Sequence, residues 1–536
     1  MSPPWPPLFE TPDPRQECTM RLLSRQPRMG GIILHLSSLP GRFGIGDLGT
    51  QAHRFVDFLA ASGQQLWQVL PVGPTSLRDW CSPYSSFSAF AGNPLLLCLE
   101  QLQAQGLLDA SALEGVPAFP EERVDFPRVV EFKERLLAQA SRAFRTRASP
   151  ALREEFARFQ EASRAWLEDY ALFTALREEQ GVAWSQWEEG LRRREPAALE
   201  AAKLRLADAV FHHQYLQFEF DRQWNRLRRY ANERGVRIFG DLPIYVSHDS
   251  ADVWARPEYF RLTPDTLRPS VEAGVPPDFF SEEGQHWGNP VYDWQRLARD
   301  DYRWWAERLQ QSFRRFDFVR IDHFRAFEAY WVIPAGAPSP KLGRWEKGPG
   351  AHFFESMCRQ LGELPITVED VGVITPEVHA LREECGFPSM FILQFAFDGN
   401  PDNAYLPFKC QPGFIMYTGT HDTSTLLGWF RSLTVPVGQS VLEYLGTTGP
   451  RGVHWDLMRV AWSSVAQWAL APLQDVLGLG EEGRMNRPGT VGPENWSWRL
   501  RWELLTDELS EQLESLTRTY GRAPEVGQQH RDKSAA

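Results

Sequence analysis

Cysteine is scarce in this chain: six residues in 536, at Cys18, Cys81, Cys98, Cys358, Cys385 and Cys410. None stands in a C-x-x-C pair. That excludes a zinc ribbon or a dithiol redox centre and predicts reduced thiols rather than a disulfide framework. Blocks of Lys and Arg are missing too, and the net charge is −12. Neither nucleic acid nor an anionic membrane is an expected partner. No run is long and apolar enough to span a bilayer. The opening M-S-P-P-W-P-P-L-F-E-T-P-D-P lacks the apolar core of a signal peptide. A cytoplasmic protein is expected. The Gly-rich stretch G-R-F-G-I-G-D-L-G is not accompanied by G-K-[ST], so it does not read as a phosphate loop. His212 and His213 are adjacent and cannot share one helix face, and no carboxylate stands at ligand spacing. No metal and no cofactor are expected.

What the chain does have is ordinary globular composition, 43% hydrophobic and 24% charged. It also has many flat rings, 21 Trp and 34 Phe, suited to a core and to the floor of a binding cleft. Residues 1–29, rich in Pro and Arg, read as a loose arm, and 521–536 as a polar tail. Between them, 30–520 reads as one catalytic unit with two insertions. In 129–234, Leu152, Phe156, Phe159, Trp166, Tyr170 and Phe173 recur at helical spacing, which predicts several antiparallel helices. The second insertion, 247–300, carries a stretch at 274–290 without regular periodicity, with Gly and Pro at both ends and Phe279, Phe280 and Trp287 between. It reads as a mobile aromatic flap. The loop 79–94 carries Trp80, Tyr84, Phe87 and Phe90, which serve either a binding surface or the anchoring of the loop itself.

Eight apolar runs separated by helical stretches predict strands: one opening at Gly31, then 66–75, 237–246, 318–324, 365–372, 389–397, 414–422 and 469–477. Near-continuous apolar strands alternating with helices mean a parallel sheet, and eight such units mean an α/β fold, the (β/α)₈ TIM barrel. Catalytic groups then belong at the C-terminal strand ends, where Asp241, Asp322, Glu369 and Asp422 fall. Strand alternation places Arg320 and Asp322 on one face and His323 on the other. The guanidinium is expected to lower the Asp322 pKa and leave a nucleophilic carboxylate. Glu369, crowded by other carboxylates, is expected to hold its proton and act as acid and then base. Two such carboxyls flanking a glycosidic bond are the parts of a glycosidase.

Several motifs make the resemblance specific: L-P-G-R-F-G-I-G-D-L-G, S-P-Y-S-S-F-S-A-F-A-G-N-P, G-D-L-P-I-Y-V, G-V-P-P-D-F-F-S-E-E-G-Q-H-W-G-N-P, V-R-I-D-H-F-R, V-E-D-V-G-V-I-T-P-E-V, Y-T-G-T-H-D and R-M-N-R-P-G-T. Together they resemble the 4-α-glucanotransferases, the amylomaltase or disproportionating-enzyme family, from Gly31 to about Arg499. The resemblance implies transfer of an α-1,4-glucan segment to another glucan or to glucose, with maltooligosaccharides as partners. It implies Asp322 as nucleophile, Glu369 as general acid/base and Asp422 as the third acid, which grips sugar hydroxyls. Arg320 and His421 match residues flanking those acids. Tyr84, Asp241, Trp287 and Phe395 match substrate-contacting positions, and the flap with Phe279 and Phe280 arches over the cleft. The chain departs from the family where G-Y-G-D gives way to Ser76-Leu77-Arg78-Asp79-Trp80-Cys81, at Ser85, and at Thr423. These departures bear on chain-length preference rather than on chemistry, and Trp80 can stand in for the lost aromatic. An α-amylase-like hydrolase and a non-catalytic glucan-binding protein are the competing readings.

Overall fold

The computed structural model describes residues 26–277, 281–446 and 448–524. Twelve strands are described: β1 (Met29–Ile33), β2 (Leu66–Gln68), β3 (Arg237–Leu242), β4 (Val271–Val275), β5 (Gln285–Pro290), β6 (Phe318–Ile321), β7 (Ala329–Pro334), β8 (Arg344–Lys347), β9 (Ile366–Val368), β10 (Met390–Ile392), β11 (Ile415–Tyr417) and β12 (Trp468–Pro472). Eight of them form one parallel sheet in the order β10-β11-β12-β1-β2-β3-β6-β9, so the last strand lies beside the first. With helices around it, this is the expected (β/α)₈ barrel. Among the described residues no ladder joins β9 to β10. The carboxylate of Asp370 crosses that seam, accepting from the Ser389 hydroxyl at 2.6 Å and the Met390 N–H at 2.8 Å.

All eight predicted strands are present, but shorter than their apolar runs. The run 66–75 yields only Leu66–Gln68, because Pro71 and Pro74 cannot donate to a ladder. The surplus of each run leaves the barrel as a loop above its C-terminal end. Below, Trp468 fills the interior with Phe318 edge-on at 4.7 Å and Phe239 at 5.8 Å, so the barrel is a packed core rather than a pore. The Gly-rich loop after β1 owes its glycines to close packing. A Cβ on Gly46 would sit 1.9 Å from the Leu36 carbonyl oxygen.

The helical insertion forms as expected, through Phe126–Arg147, Pro150–Ala162, Arg164–Gln180, Pro196–Arg205 and Ala207–Glu233. In the first of these Val129, Phe132, Leu136, Ala140 and Phe144 are buried at helical spacing. Ser149 caps the second by accepting from the Leu152 N–H, with Pro150 opening it. The insertion also decides between the two roles for the aromatics of loop 79–94. Phe87 stacks on Tyr170 at 6.4 Å and Phe90 on Trp166 at 6.2 Å, anchoring the loop to the helices. Tyr84 and Trp80 are left to face the cleft.

The stretch 274–290 differs from its expectation. Its flanks are the strands β4 and β5, paired antiparallel in a second sheet of order β5-β4-β7-β8. The Gly and Pro content that hid any periodicity belongs to a hairpin whose β4 is largely buried and whose β5 is mostly exposed. Phe279 and Phe280 lie outside the described residues. The chain ends differ as well. Met29, assigned to the arm, opens β1, and Arg522, assigned to the tail, is wholly buried. Its guanidinium donates to the carbonyls of Trp462, Met29, Gln467, Ser464 and Ala466. Cys81, Cys98, Cys385 and Cys410 are free and buried as expected, whereas Cys358 is disulfide-bonded, against expectation. Among the described residues no helix is long and apolar enough to cross a membrane.

Candidate active site

Above the aromatic plug the barrel opens into a cleft of about 490 Å³. Asp322, one residue past β6, Glu369, one past β9, and Asp422, in the loop after β11, all line it. Three loops of unrelated sequence thus bring three carboxyls to one space, as closure of the barrel requires. Arg320 is the penultimate residue of β6 and serves two carboxylates. Its Nη1 donates to Asp241 Oδ2 at 2.5 Å and its Nη2 to Asp322 Oδ1 at 2.8 Å. The Tyr84 hydroxyl donates to the same Asp241 Oδ2 at 2.6 Å. Asp241 is fully buried, so in this state it holds Arg320 and Tyr84 rather than facing the open cleft.

Strand alternation ends at Ile321. His323 takes a left-handed backbone (φ 53°), and this turns its N–H onto Glu369 Oε2 at 2.7 Å. The Val371 N–H donates to Glu369 Oε1 at 3.1 Å. The His323 ring, expected on the opposite face, instead joins the cleft wall and meets Trp287 edge-on at 4.9 Å. Asp422 Oδ1 accepts from Asn486 at 2.6 Å, and its Oδ2 lies 3.3 Å from His421 Nε2. His421 is stacked by Tyr84 at 5.1 Å.

Burial and neighbouring charge set the protonation. Burial raises the Glu369 carboxyl, and the adjacent Asp322 charge raises it further, to about 8; Arg320 and the His323 N–H oppose this without cancelling it. Asp322 is also raised, to about 6, because burial outweighs the Arg320 guanidinium; the expected lowering is therefore corrected. For Asp422 burial pushes upward, but His421 and Asn486 outweigh it and hold the carboxyl at about 2. At neutral pH the cleft thus offers one protonated carboxyl among ionised ones, the division of labour that acid-assisted displacement at a sugar carbon needs.

The family model for 4-alpha-glucanotransferases matches residues 34–506. The chain belongs to this family. A 4-alpha-glucanotransferase of Synechocystis sp. is 49% identical over 498 residues, covering 92% of this chain and 98% of its own. One from Thermus thermophilus is 47% identical, covering 93% and 99%. Among solved structures, an amylomaltase from Streptococcus agalactiae in complex with acarbose superposes with a TM-score of 0.89 at 36% identity, covering 93% of this chain and 100% of that one. The transferase accordingly moves 4-α-glucanosyl units by glycosyl transfer on a (β/α)₈ barrel.

Of the residues singled out in the sequence, Tyr84, Trp287, Arg320, Asp322, Glu369 and Asp422 meet at the transferase's cleft. Asp241 and His421 lie just beneath it. Phe395 stands apart, packed against Tyr405 at 5.6 Å in the short helix after β10. Sequence reasoning quoted the R-M-N-R-P-G-T motif without giving any residue in it a role. Asn486 and Arg484 come from it, and the latter donates to the Asp422 carbonyl at 3.1 Å. The clustering of Gly and Pro after the last strand was the available signal. Trp496, tilted against Tyr84 at 5.5 Å, carried none.

Proposed function

We propose that Asp322 is the nucleophile, Glu369 the general acid/base and Asp422 the acid that grips sugar hydroxyls. In this reading the enzyme acts on α-1,4-glucans and maltooligosaccharides by two displacements. Asp322 Oδ2, free of the Arg320 bond, attacks the anomeric carbon while Glu369 protonates the leaving oxygen. The glucan left on Asp322 is then taken by an acceptor hydroxyl, which Glu369, now ionised, deprotonates. The observation that carries this is the meeting, in one cleft, of an Arg-oriented Asp322 with Glu369, whose carboxyl burial and the Asp322 charge push upward. Acarbose, bound by the Streptococcus agalactiae amylomaltase, accords with a glucan substrate. Trp287 and Tyr84 serve as sugar platforms, and Phe279 and Phe280 are further substrate contacts. Asp241 and His421 hold the acids in position. The unit 30–520 acts as one catalytic domain, with 129–234 and 247–300 as insertions. The site of action is the cytoplasm.

Incubation with maltotriose tests the reading. Transfer conserves the number of reducing ends, so glucose and longer maltooligosaccharides are expected at nearly constant total reducing ends. If reducing ends climb in step with maltotriose consumption and no longer chains form, the protein is a hydrolase.

The protonation states give a second expected result. Asp322 must be ionised, so kcat/KM should rise as pH climbs through about 6. Glu369 must be protonated when the donor binds, so kcat/KM should fall as pH passes about 8. The two limbs belong to the pair rather than to either residue alone. Initial rates of maltotriose transfer from pH 4 to pH 10 give the profile, and a plateau that extends to pH 10 would remove Glu369 from the acid role.

A further inference from the structure

Among the described tryptophans, Trp287 and Trp345 are the two left substantially exposed, at 36% and 37%, and both line the catalytic cleft. Trp287 sits against His323 beside the acids. Trp345 lies on β8, at the opposite edge of the antiparallel sheet, and nothing so far gives it a task. Its surroundings are built rather than incidental. The Arg325 guanidinium lies over the indole with its carbon 3.7 Å from the ring centroid. Trp331 braces the ring edge-on at 5.1 Å and is itself fixed by its Nε1–H donating to the Pro340 carbonyl at 2.8 Å. Arg325 is 5% exposed and also lines the cleft. Its Nη1 donates to the Val373 carbonyl, and its Nε has no hydrogen-bond partner among the described residues.

We propose that Trp345, with Arg325 behind it, is an outlying acceptor subsite that takes a pyranose ring of an α-1,4-glucan beyond the first acceptor sugar. Indole faces suit the C–H face of a pyranose, and the guanidinium stacked on the far face fixes the ring and leaves the other face for the sugar. A ring already braced on two sides loses little freedom when a sugar lands on it. The side of the cleft follows from the Arg325–Val373 bond. Val373 lies on the segment that leaves Glu369, the group that protonates the leaving oxygen, so the platform belongs to the leaving and acceptor chain. The assignment rests on the reading of Glu369 given above. It makes Trp345 a determinant of acceptor length, favouring maltohexaose over glucose.

The test is a competition between labelled glucose and labelled maltohexaose as acceptors, with maltotriose as donor, in the full chain carrying Trp345→Ala or Trp345→Phe. The ratio of label incorporated is the ratio of the two kcat/KM values, so any loss of folded protein cancels. Trp345→Ala is expected to lower the maltohexaose-to-glucose ratio about tenfold, equivalent to ~1.4 kcal/mol. Trp345→Phe should restore most of it. An unchanged ratio overturns the proposal, whether both acceptors lose rate equally or neither does. So does a dependence that moves to donor length while the acceptor ratio stays fixed. Failure of the underlying reading looks different: the unmodified enzyme would then release labelled sugar from neither acceptor as a longer chain, and no ratio would exist to compare.

Discussion

Asp322→Ala should abolish turnover on maltotriose while leaving the fold unchanged. The fold survives because Arg320 keeps its bond to Asp241, so no buried guanidinium is stranded by the substitution. Turnover does not, because the covalent route has no other carboxylate in place. A drop of at least about 10⁴-fold is expected, ~5.4 kcal/mol at the barrier. The vacated space gives a second readout. Added azide can attack the donor from the face Asp322 used, and the product should be a β-glucosyl azide from an α-linked donor. Removing the Asp322 charge also relieves Glu369, whose pKa should fall from about 8 toward the ordinary carboxyl range. A folded Asp322→Ala protein with activity within tenfold of the original would overturn the nucleophile assignment.

Glu369→Gln should lose transfer from maltotriose by about 10²- to 10⁴-fold, the usual span for removal of a general acid. A donor that needs little protonation, α-maltotriosyl fluoride, separates the two roles of this residue. Its fluoride should still leave at a substantial rate and load Asp322. The loaded enzyme should then stall, since no base remains to activate the acceptor. Rapid-quench measurement should show a burst of fluoride close to one equivalent, followed by slow turnover. Equal loss with both donors would contradict the acid role. The substitution has one local cost. Both oxygens of Glu369 accept backbone N–H groups, from His323 and Val371, and an amide offers only one oxygen. The amide oxygen should face His323, leaving the Val371 N–H opposed, at about 1–3 kcal/mol of stability.

The barrel and its acids were readable because barrel strands are apolar on both faces and their charged residues cluster where the strands stop. Arg320 and Asp322 were placed on one face by alternation alone, and they are bonded as that requires. What alternation could not show is where it ends. Once β6 stops at Ile321, the left-handed turn at His323 follows no two-residue period, so its N–H bond to Glu369 was invisible. The sign of the Asp322 shift went wrong for a related reason: a neighbouring guanidinium is visible in the sequence, whereas the depth of burial that outweighs it is not. The β5 arm of the hairpin was read as aperiodic because an exposed strand with few apolar residues leaves no pattern to count. Asn486 and Asp370 were missed because a polar residue acting through one hydrogen bond looks like any other loop residue until the partner is brought beside it.

Arg522 stitches together pieces made far apart in time during protein synthesis. It holds the carbonyl of Met29, at the start of the first barrel strand, and those of Ser464, Ala466 and Gln467, which lead into the last. A ribosome that has already delivered every catalytic acid has still not delivered the residue that pins the bottom of the barrel. The nascent chain therefore carries β1 unpaired on one edge until β12 has been made. Its helical insertion, built from contacts close in sequence, can form early, while the bottom of the barrel is pinned only when Arg522, just past the helix Asp507–Thr519, emerges from the exit tunnel.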